Sequence, residues 1–365
     1  MRLKNIAFAV VLFLLTVVIV DRFMNYARVT PPILKYYHKE YGALNVPDIE
    51  YLKSKEGLYL GKTNYDGRFR ENYPKRRQDS TAYRIILVGD SFVEGIDVMS
   101  RNHFAVHMEN IMSKHLGRKV EVLNFGRGNC TLQPSAYYYV DYIRKEYDAD
   151  LVLFFTEARD IVEVSDYPST AYVFNKQTGV LEASRNWQNS GDYQLVQKLE
   201  DMKLLGFLNA SGWFRLAYRA KAGLGAYGFY PKVFGKFYGE VGTQTYDRDP
   251  LNMPISETTK AIYDTLEKVE GPQLWFVLRN FPLESVRLKH YLDSMQYRVI
   301  DLADTLDVKT IKGTKDDAYY FKTTGLYGGH WNHLGHKAVG HFLSNRILKE
   351  ISLKHIDTNI SANGK

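Results

Sequence analysis

The stretch that most restricts what this chain can fold into is Arg84-Ile85-Ile86-Leu87-Val88-Gly89-Asp90-Ser91-Phe92-Val93-Glu94-Gly95. Its apolar run, Ile85 to Val88, stops abruptly at Gly89-Asp90-Ser91. A short apolar run bounded by a turn signal suits a strand buried on both faces of a parallel sheet. Gly89 permits a sharp turn, so Ser91 would follow the carboxyl end of that strand, where open α/β sheets bind ligands. A serine there can be a nucleophile if a histidine reaches it. Gly-Asp-Ser is also ordinary turn chemistry, in which Asp and Ser bond the local backbone. The stretch that separates the two readings lies far downstream, at Gly328-Gly329-His330-Trp331-Asn332-His333-Leu334-Gly335-His336.

From Tyr83 onward the pattern alternates. Strands are predicted over 84–88, 119–125, 151–155, 274–278 and 297–302, with helices over 104–115, 135–147, 284–295 and 338–351. Alternation of this kind argues for a parallel sheet covered on both faces. A long interval, about 162–270, separates the third and fourth strands. It holds a helix-like segment, Tyr193 to Leu208, and an aromatic stretch that begins at Trp213 and Phe214 and ends at Phe237 and Tyr238. One reading is an inserted helical subdomain with its own small core. The other is a cap whose aromatics, with Lys232 or Lys236, hold sugar rings.

The 365 residues allow a sizeable core, and a 45% hydrophobic content excludes a disordered chain. Forty-eight basic against 41 acidic residues leave a mild +7. The only tight basic run is Lys75-Arg76-Arg77, and no zinc-ligand spacing, RNA-binding signature or helix-turn-helix pattern supports a nucleic-acid partner. Cys130 is the only cysteine, which excludes a disulfide within the chain.

Ile6 to Val20 is apolar except for Thr16, with Arg2 and Lys4 before it and Asp21 and Arg22 after. The run is short for a span of roughly 20 residues, a shortfall that snorkelling of Lys4 and Arg22 makes up. A cleaved signal peptide is the rival. Asp21-Arg22-Phe23-Met24 stands where a small-x-small cleavage site belongs, which favours an uncleaved anchor over residues 1–21. The basic start argues for a cytoplasmic amino end and an extracytoplasmic remainder, although Arg22 and Arg28 pull the other way. Residues 22–80 then form a membrane-proximal segment, broken at Pro31-Pro32, with a short strand over Gly57 to Leu60 and a turn at Asn64-Tyr65-Asp66-Gly67-Arg68. The main domain covers 81–352, and the polar tail 353–365 is expected to fray.

Together, the Gly-Asp-Ser block, the strand before it and the His-Trp-Asn block resemble the SGNH (GDSL-type) hydrolase family. The closer likeness is to its membrane-anchored branch, which is similar to bacterial cell-surface polysaccharide O-acetylation and deacetylation proteins. The resemblance implies a three-layer, flavodoxin-like parallel sheet with a mainly helical inserted cap, preceded by the N-terminal membrane helix. It makes Ser91 the nucleophile and gives its backbone N–H to the oxyanion hole. In the second block, Asn124 to Thr131, it makes Gly128 a further donor, with Gly126 the alternative. Both glycines also suit a tight loop for its own sake. In the third block, Thr156-Glu157-Ala158-Arg159-Asp160, Arg159 replaces the family's asparagine. It can donate to the oxyanion, bind an anionic part of the substrate, or pair with Asp160 or Glu157.

In the fourth block the resemblance makes His330 the general base, and Asn332 is placed to cap the final helix. The family's acidic partner two or three residues before the histidine is missing, because Tyr327 and Gly328 stand there. Asp316, Asp317 or a backbone carbonyl are the replacements the sequence offers. His330, His333 and His336 also have a spacing that suits metal ligation on a short helix. Gly329 and Gly335 disfavour such a helix, and no metal or cofactor is expected.

The expected activity is acyl-ester chemistry on O-acetyl groups of a cell-surface carbohydrate. Hydrolase and O-acetyltransferase share the same acyl-enzyme, and the resemblance admits a membrane acyltransferase as partner. A catalytically silent glycan-binding or assembly subunit is the alternative from another class. A generic lipase or thioesterase would require an apolar acyl channel.

Overall fold

The computed structural model describes residues 2–26, 35–53, 57–70, 72–128, 130–157, 160, 169–202, 211–213, 216, 254–279, 282–302 and 330–363. Helix α1 (Arg2–Tyr26) opens the chain. Its Lys4–Met24 portion is long and apolar enough to cross a membrane, a test that a signal sequence also passes. Two antiparallel pairs follow: β1 (Lys35–His38) with β2 (Gly42–Asn45), and β3 (Glu50–Lys53) with β4 (Tyr59–Lys62). Of these, only the neighbourhood of β4 has a strand pattern legible in the sequence.

The main sheet begins at β5 (Tyr83–Gly89), the apolar run described above. After it come α2 (Ser91–Glu94), α3 (Phe104–Leu116), β6 (Val120–Gly126), α4 (Leu132–Tyr138) and β7 (Leu151–Thr156). A wider, π-helical turn carries α4 on over Tyr139–Ile143. The insert then contributes a hairpin, β8 (Ala171–Asn175) with β9 (Val180–Ser184), and helices α5 (Gly191–Asp201) and α6 (Glu257–Glu267). The described part of the insert is therefore not purely helical. β10 (Gln273–Leu278), α7 (Pro282–Ser294), β11 (Arg298–Asp301) and α8 (His333–Asn363) complete the chain. Helix α8 runs on through the stretch whose polar sequence suggests a frayed tail.

The five long-range strands pair in parallel in the order β11-β10-β7-β5-β6. Alternate residues of each strand face opposite layers. Ile85 and Leu87 join Phe104 and Met108 of α3 and Val339 and Leu343 of α8. Ile86 and Val88 join Tyr139 beyond α4, Ile262 of α6 and Leu288 of α7. This is a three-layer α/β architecture. The chain steps from β6 across β5 to β7, so the crevice beyond the carboxyl end of β5 lies at the switch in strand order, where such sheets bind ligands.

The described residues of 35–80 lie against this domain. The Arg68 guanidinium stacks 3.1 Å from the centre of the Phe125 ring. Arg70 pairs with Glu109 of α3 at 2.6 Å, and Arg77 binds Asp148 at 2.7 Å and Asp150 at 3.1 Å.

Candidate active site

Ser91 is the first residue of α2, directly beyond β5. Asp90 caps that helix, its carboxylate accepting the Phe92 N–H at 3.0 Å. The helix lasts one turn because Gly95 ends it in the left-handed region, at φ 63°, with its N–H donated to the Ser91 carbonyl at 3.0 Å. After this stop Ile96 packs with Tyr59 and Phe69, and Asp97 comes to lie beside His330.

His330 approaches from the opposite side, just before α8. Its position is fixed by its neighbours. Trp331 is fully buried, edge-on to Phe92 and Phe104. The Asn332 side chain accepts the Leu334 and Gly335 N–H groups at 2.9 and 3.0 Å, capping α8 as its sequence position suggests. With both neighbours held, the His330 ring lies against Phe92, and its Nε2 is 2.8 Å from Ser91 Oγ. These two atoms belong to residues 239 positions apart.

The other ring nitrogen faces a carboxylate that the sequence reading did not single out. His330 Nδ1 is 3.5 Å from Asp97 Oδ2, and the Asp97 side chain is 1% exposed. Tyr327, Gly328, Asp316 and Asp317 lie outside the described residues. The signal for Asp97 was available in Glu94-Gly95-Ile96-Asp97: a helix stopped by glycine after one turn sends the chain back toward its own start.

The expected oxyanion donors fare differently. As the first helical residue, Ser91 has no acceptor for its N–H within α2. Gly128 does lie beside Ser91, but its N–H is donated to Glu94 Oε2 at 2.9 Å. Gly128, the expected oxyanion donor, therefore has its N–H bonded to a buried carboxylate in this structure. Glu94, 3% exposed, also accepts the Asn45 side-chain amide at 2.8 Å, which joins β2 to the site. Gly126 donates its N–H to the Asn124 side chain at 2.9 Å. A Cβ on Gly126 would sit 2.1 Å from the Glu94 backbone nitrogen, so glycine is needed there for close packing of β6 on α2. Arg159 lies outside the described residues.

A second arginine, Arg279 at the end of β10, occupies the floor of the crevice. It binds Asp90 at 2.8 Å and also Glu157, and its guanidinium lies 3.8 Å from the centre of the Phe92 ring. Asp90, Cys130, Thr131, Glu157, Asp160 and Arg279 all line one small pocket there. Burial and the nearby Glu157 carboxylate push the Asp160 carboxyl up to about 7, although it accepts bonds from Leu132 N, Glu157 N and the Thr156 hydroxyl. Arg279 was legible only as a charged residue directly after an apolar strand.

The three histidines of the last block part company. His330 faces Ser91, His333 is exposed, and His336 is buried with its Nδ1 accepting the Phe104 N–H at 3.2 Å. His336 packs against His103, whose Nε2 lies 3.0 Å from the Val93 carbonyl. Burial holds both imidazoles well below their ordinary range, His336 down to about 3. They are neutral packing groups in the wall behind the serine.

No protein-family model matches the sequence, and no curated protein does. Several solved structures share its outline. A lipase/acylhydrolase from Enterococcus faecalis is 13% identical, with a TM-score of 0.37 over 73% of this chain and 95% of its own. A member of the lipolytic protein G-D-S-L family from Veillonella parvula is 14% identical, with a TM-score of 0.33 over 71% of this chain and 94% of its own. A carbohydrate acetylesterase from Sinorhizobium meliloti is 11% identical, with a TM-score of 0.32 over 73% and 99%. The chemistry of this chain rests on its own geometry: a serine at the switch point of a parallel sheet, with a histidine and a buried carboxylate in line behind it.

Proposed function

We propose that this chain is a serine-dependent acyl-ester hydrolase. The observation that carries the reading is the 2.8 Å contact between His330 Nε2 and Ser91 Oγ, with Asp97 behind the other ring nitrogen. In this reading His330 removes the Ser91 proton as Oγ attacks the ester carbonyl carbon. The imidazolium then donates that proton to the departing alkoxide, leaving the acyl group on Ser91. A water activated by the same imidazole releases the acid. Asp97 holds the ring orientation and favours the imidazolium. The Ser91 N–H is the first donor to the oxyanion, and Gly128 becomes a second only if Glu94 releases it.

The substrate we favour is an O-acetyl group on a cell-surface carbohydrate, with α1 as an uncleaved anchor and the domain outside the cytoplasm. The apolar length of α1 supports the anchor. The resemblance of the Gly-Asp-Ser and His-Trp-Asn blocks to membrane-anchored SGNH proteins supports the substrate class. An acyl-enzyme on Ser91 would also serve transfer to a glycan hydroxyl, and the partition of acetyl between water and added glycan tells the two apart.

A second reading, a glycan-binding subunit without turnover, is favoured by one feature. The Glu94 carboxylate occupies the Gly128 N–H, and its negative charge opposes an oxyanion nearby. Hydrolysis of p-nitrophenyl acetate by the purified protein, lost in both Ser91→Ala and His330→Ala, is the expected result. Absence of turnover, together with failure of a fluorophosphonate to label Ser91, would favour the silent subunit.

A further inference from the structure

Helix α1 is bare along most of its length. Ile6, Phe8, Phe13, Leu14 and Leu15 are all more than half exposed. Its last two turns differ: Val17, Val20 and Asp21 are partly covered and Met24 is buried. These positions, at i, i+3, i+4 and i+7, form one stripe on the helix. What seats on that stripe is a short piece of the insert. The Ser211 hydroxyl donates to Asp21 Oδ1 at 3.0 Å, and the Trp213 backbone N–H donates to the same oxygen at 3.2 Å. The Trp213 indole N–H donates to the Val17 carbonyl at 3.1 Å. At Gly212 even a Cβ would come within 3.1 Å of Met24.

We propose that Ser211, Gly212, Trp213 and Leu216 form a second membrane contact, in which this part of the insert beds into the outer interface of a phospholipid bilayer beside the exit end of α1. The proposal rests on the reading of α1 as a retained anchor. Val17 lies four residues before Asp21, the first charged residue after the apolar run, which at the helical rise is about 6 Å along the helix axis. An indole bonded at that level sits just inside the outer edge of the apolar run. Tryptophan suits this depth, because its ring is apolar and its N–H needs an acceptor, here supplied by a helix carbonyl.

The outward faces match the proposed partner. Trp213 and Leu216 are 42% and 41% exposed, beside a helix whose own side chains are apolar. The Asp21 carboxylate would be costly at the edge of the hydrocarbon. The Ser211 hydroxyl and the Trp213 N–H offset that cost. The same contact ties the insert, a 190-residue loop closure away in sequence, to the level of the membrane.

Tryptophan emission tests this in the full-length protein reconstituted into phosphatidylcholine–phosphatidylglycerol vesicles. Of the chain's four tryptophans, Trp187, Trp275 and Trp331 are buried in the domain, so lipid-borne quenchers should reach only Trp213. With bromine on the lipid chains close to the headgroups, the expected result is strong quenching of the wild type that is lost in Trp213→Phe. Bromine near the chain ends should quench less. Asp21→Ala, which removes the acceptor of two of the three bonds, should shift Trp213 emission to the red and weaken its quenching. Equal quenching of the wild type and Trp213→Phe, with both retained by vesicles after an alkaline wash, would overturn the second contact and leave the anchor standing. Loss of the protein from the vesicles on washing would overturn the anchor and this inference together.

Discussion

At the scale of single residues, the candidate site brings His330 together with Ser91 and Asp97 from a distant part of the chain. Ser91 and His330 stood out because each sits in a short block of distinctive composition. Asp97 did not, because its partner is 233 positions away and its own neighbours, Ile96 and Val98, read as a plain turn into the next helix. Asp97 follows the left-handed Gly95 that ends α2, and its carboxylate lies 3.5 Å from His330 Nδ1. Replacing Asp97 with Asn should lower kcat by on the order of 10²–10⁴, with KM for p-nitrophenyl acetate little changed, as loss of an orienting carboxylate does elsewhere. An unchanged kcat would remove Asp97 from the machinery. The buried histidines make a separate prediction. His336 is held down to about 3, whereas in the unfolded chain an imidazole titrates near 6.5. Below pH 6.5 the unfolded chain takes up a proton that the folded chain refuses, so stability falls as pH drops from about 6.5 toward 3 and is independent of this group above that window. Urea midpoints measured from pH 7.5 to pH 5 should decline. In His336→Asn, which keeps an acceptor for the Phe104 N–H, the decline should be shallower.

At the scale of elements, apolar periodicity placed the five main strands and four of the helices that cover them, because burial on both faces leaves continuous hydrophobic runs. It did not place α6, whose Ile262, Tyr263 and Leu266 also pack on the sheet. Of the small N-terminal hairpins only the strand near β4 was expected, since strands of four residues with mixed Tyr, Lys and Glu carry no such signature. The hairpin β8–β9 escaped for the same reason, its second strand being largely exposed. One element contact is decisive for the site, that of α2 on β6. At Gly126 a methyl group would meet backbone atoms of Val93 and Glu94 at 2.5 and 2.1 Å. Backbone cannot rotate away as a side chain can, so Gly126→Ala must push α2 and Ser91 outward. We expect a loss of about 1–3 kcal/mol, the usual cost of overpacking, and a fall in kcat larger than the stability loss alone explains. Thermal melts paired with esterase assays well below the melting temperature would show it. A variant with a normal melt and normal rate would mean that α2 is free to shift.

At the scale of the whole molecule, the sequence draws a boundary near residue 80, where a Pro- and Lys-rich stretch gives way to alternating strands and helices. Contacts cross that boundary in several places, and those of Asn45, Arg70, Tyr73 and Arg77 join a polar or charged residue of the segment to a carboxylate of the main domain. Arg70 and Tyr73 both bind the Glu109 carboxylate, which also accepts the Val122 N–H. Arg77 holds Asp148 and Asp150 beside the buried pair of Arg84 with Glu121. Asn45 reaches Glu94, one helical turn from the nucleophile. Composition reads such arginines as a solvated loop, since a charge pattern does not reveal its partners. The energetic consequence is large. Removing one member of a buried pair costs about 3–5 kcal/mol, and a domain's whole stability is about 5–15 kcal/mol. Arg70–Glu109 is such a pair, the partly exposed Arg77 pairs add less, and the Phe125 ring is uncovered when Arg68 is lost. A chain begun at residue 27 should therefore express as a soluble protein with a single cooperative melt and full esterase rate. A chain begun at residue 81 should aggregate, or melt without cooperativity and without activity. Equal melting temperatures and rates for the two would show that residues 35–80 lean on the domain without supporting it, and that the Asn45–Glu94 link has no bearing on the serine.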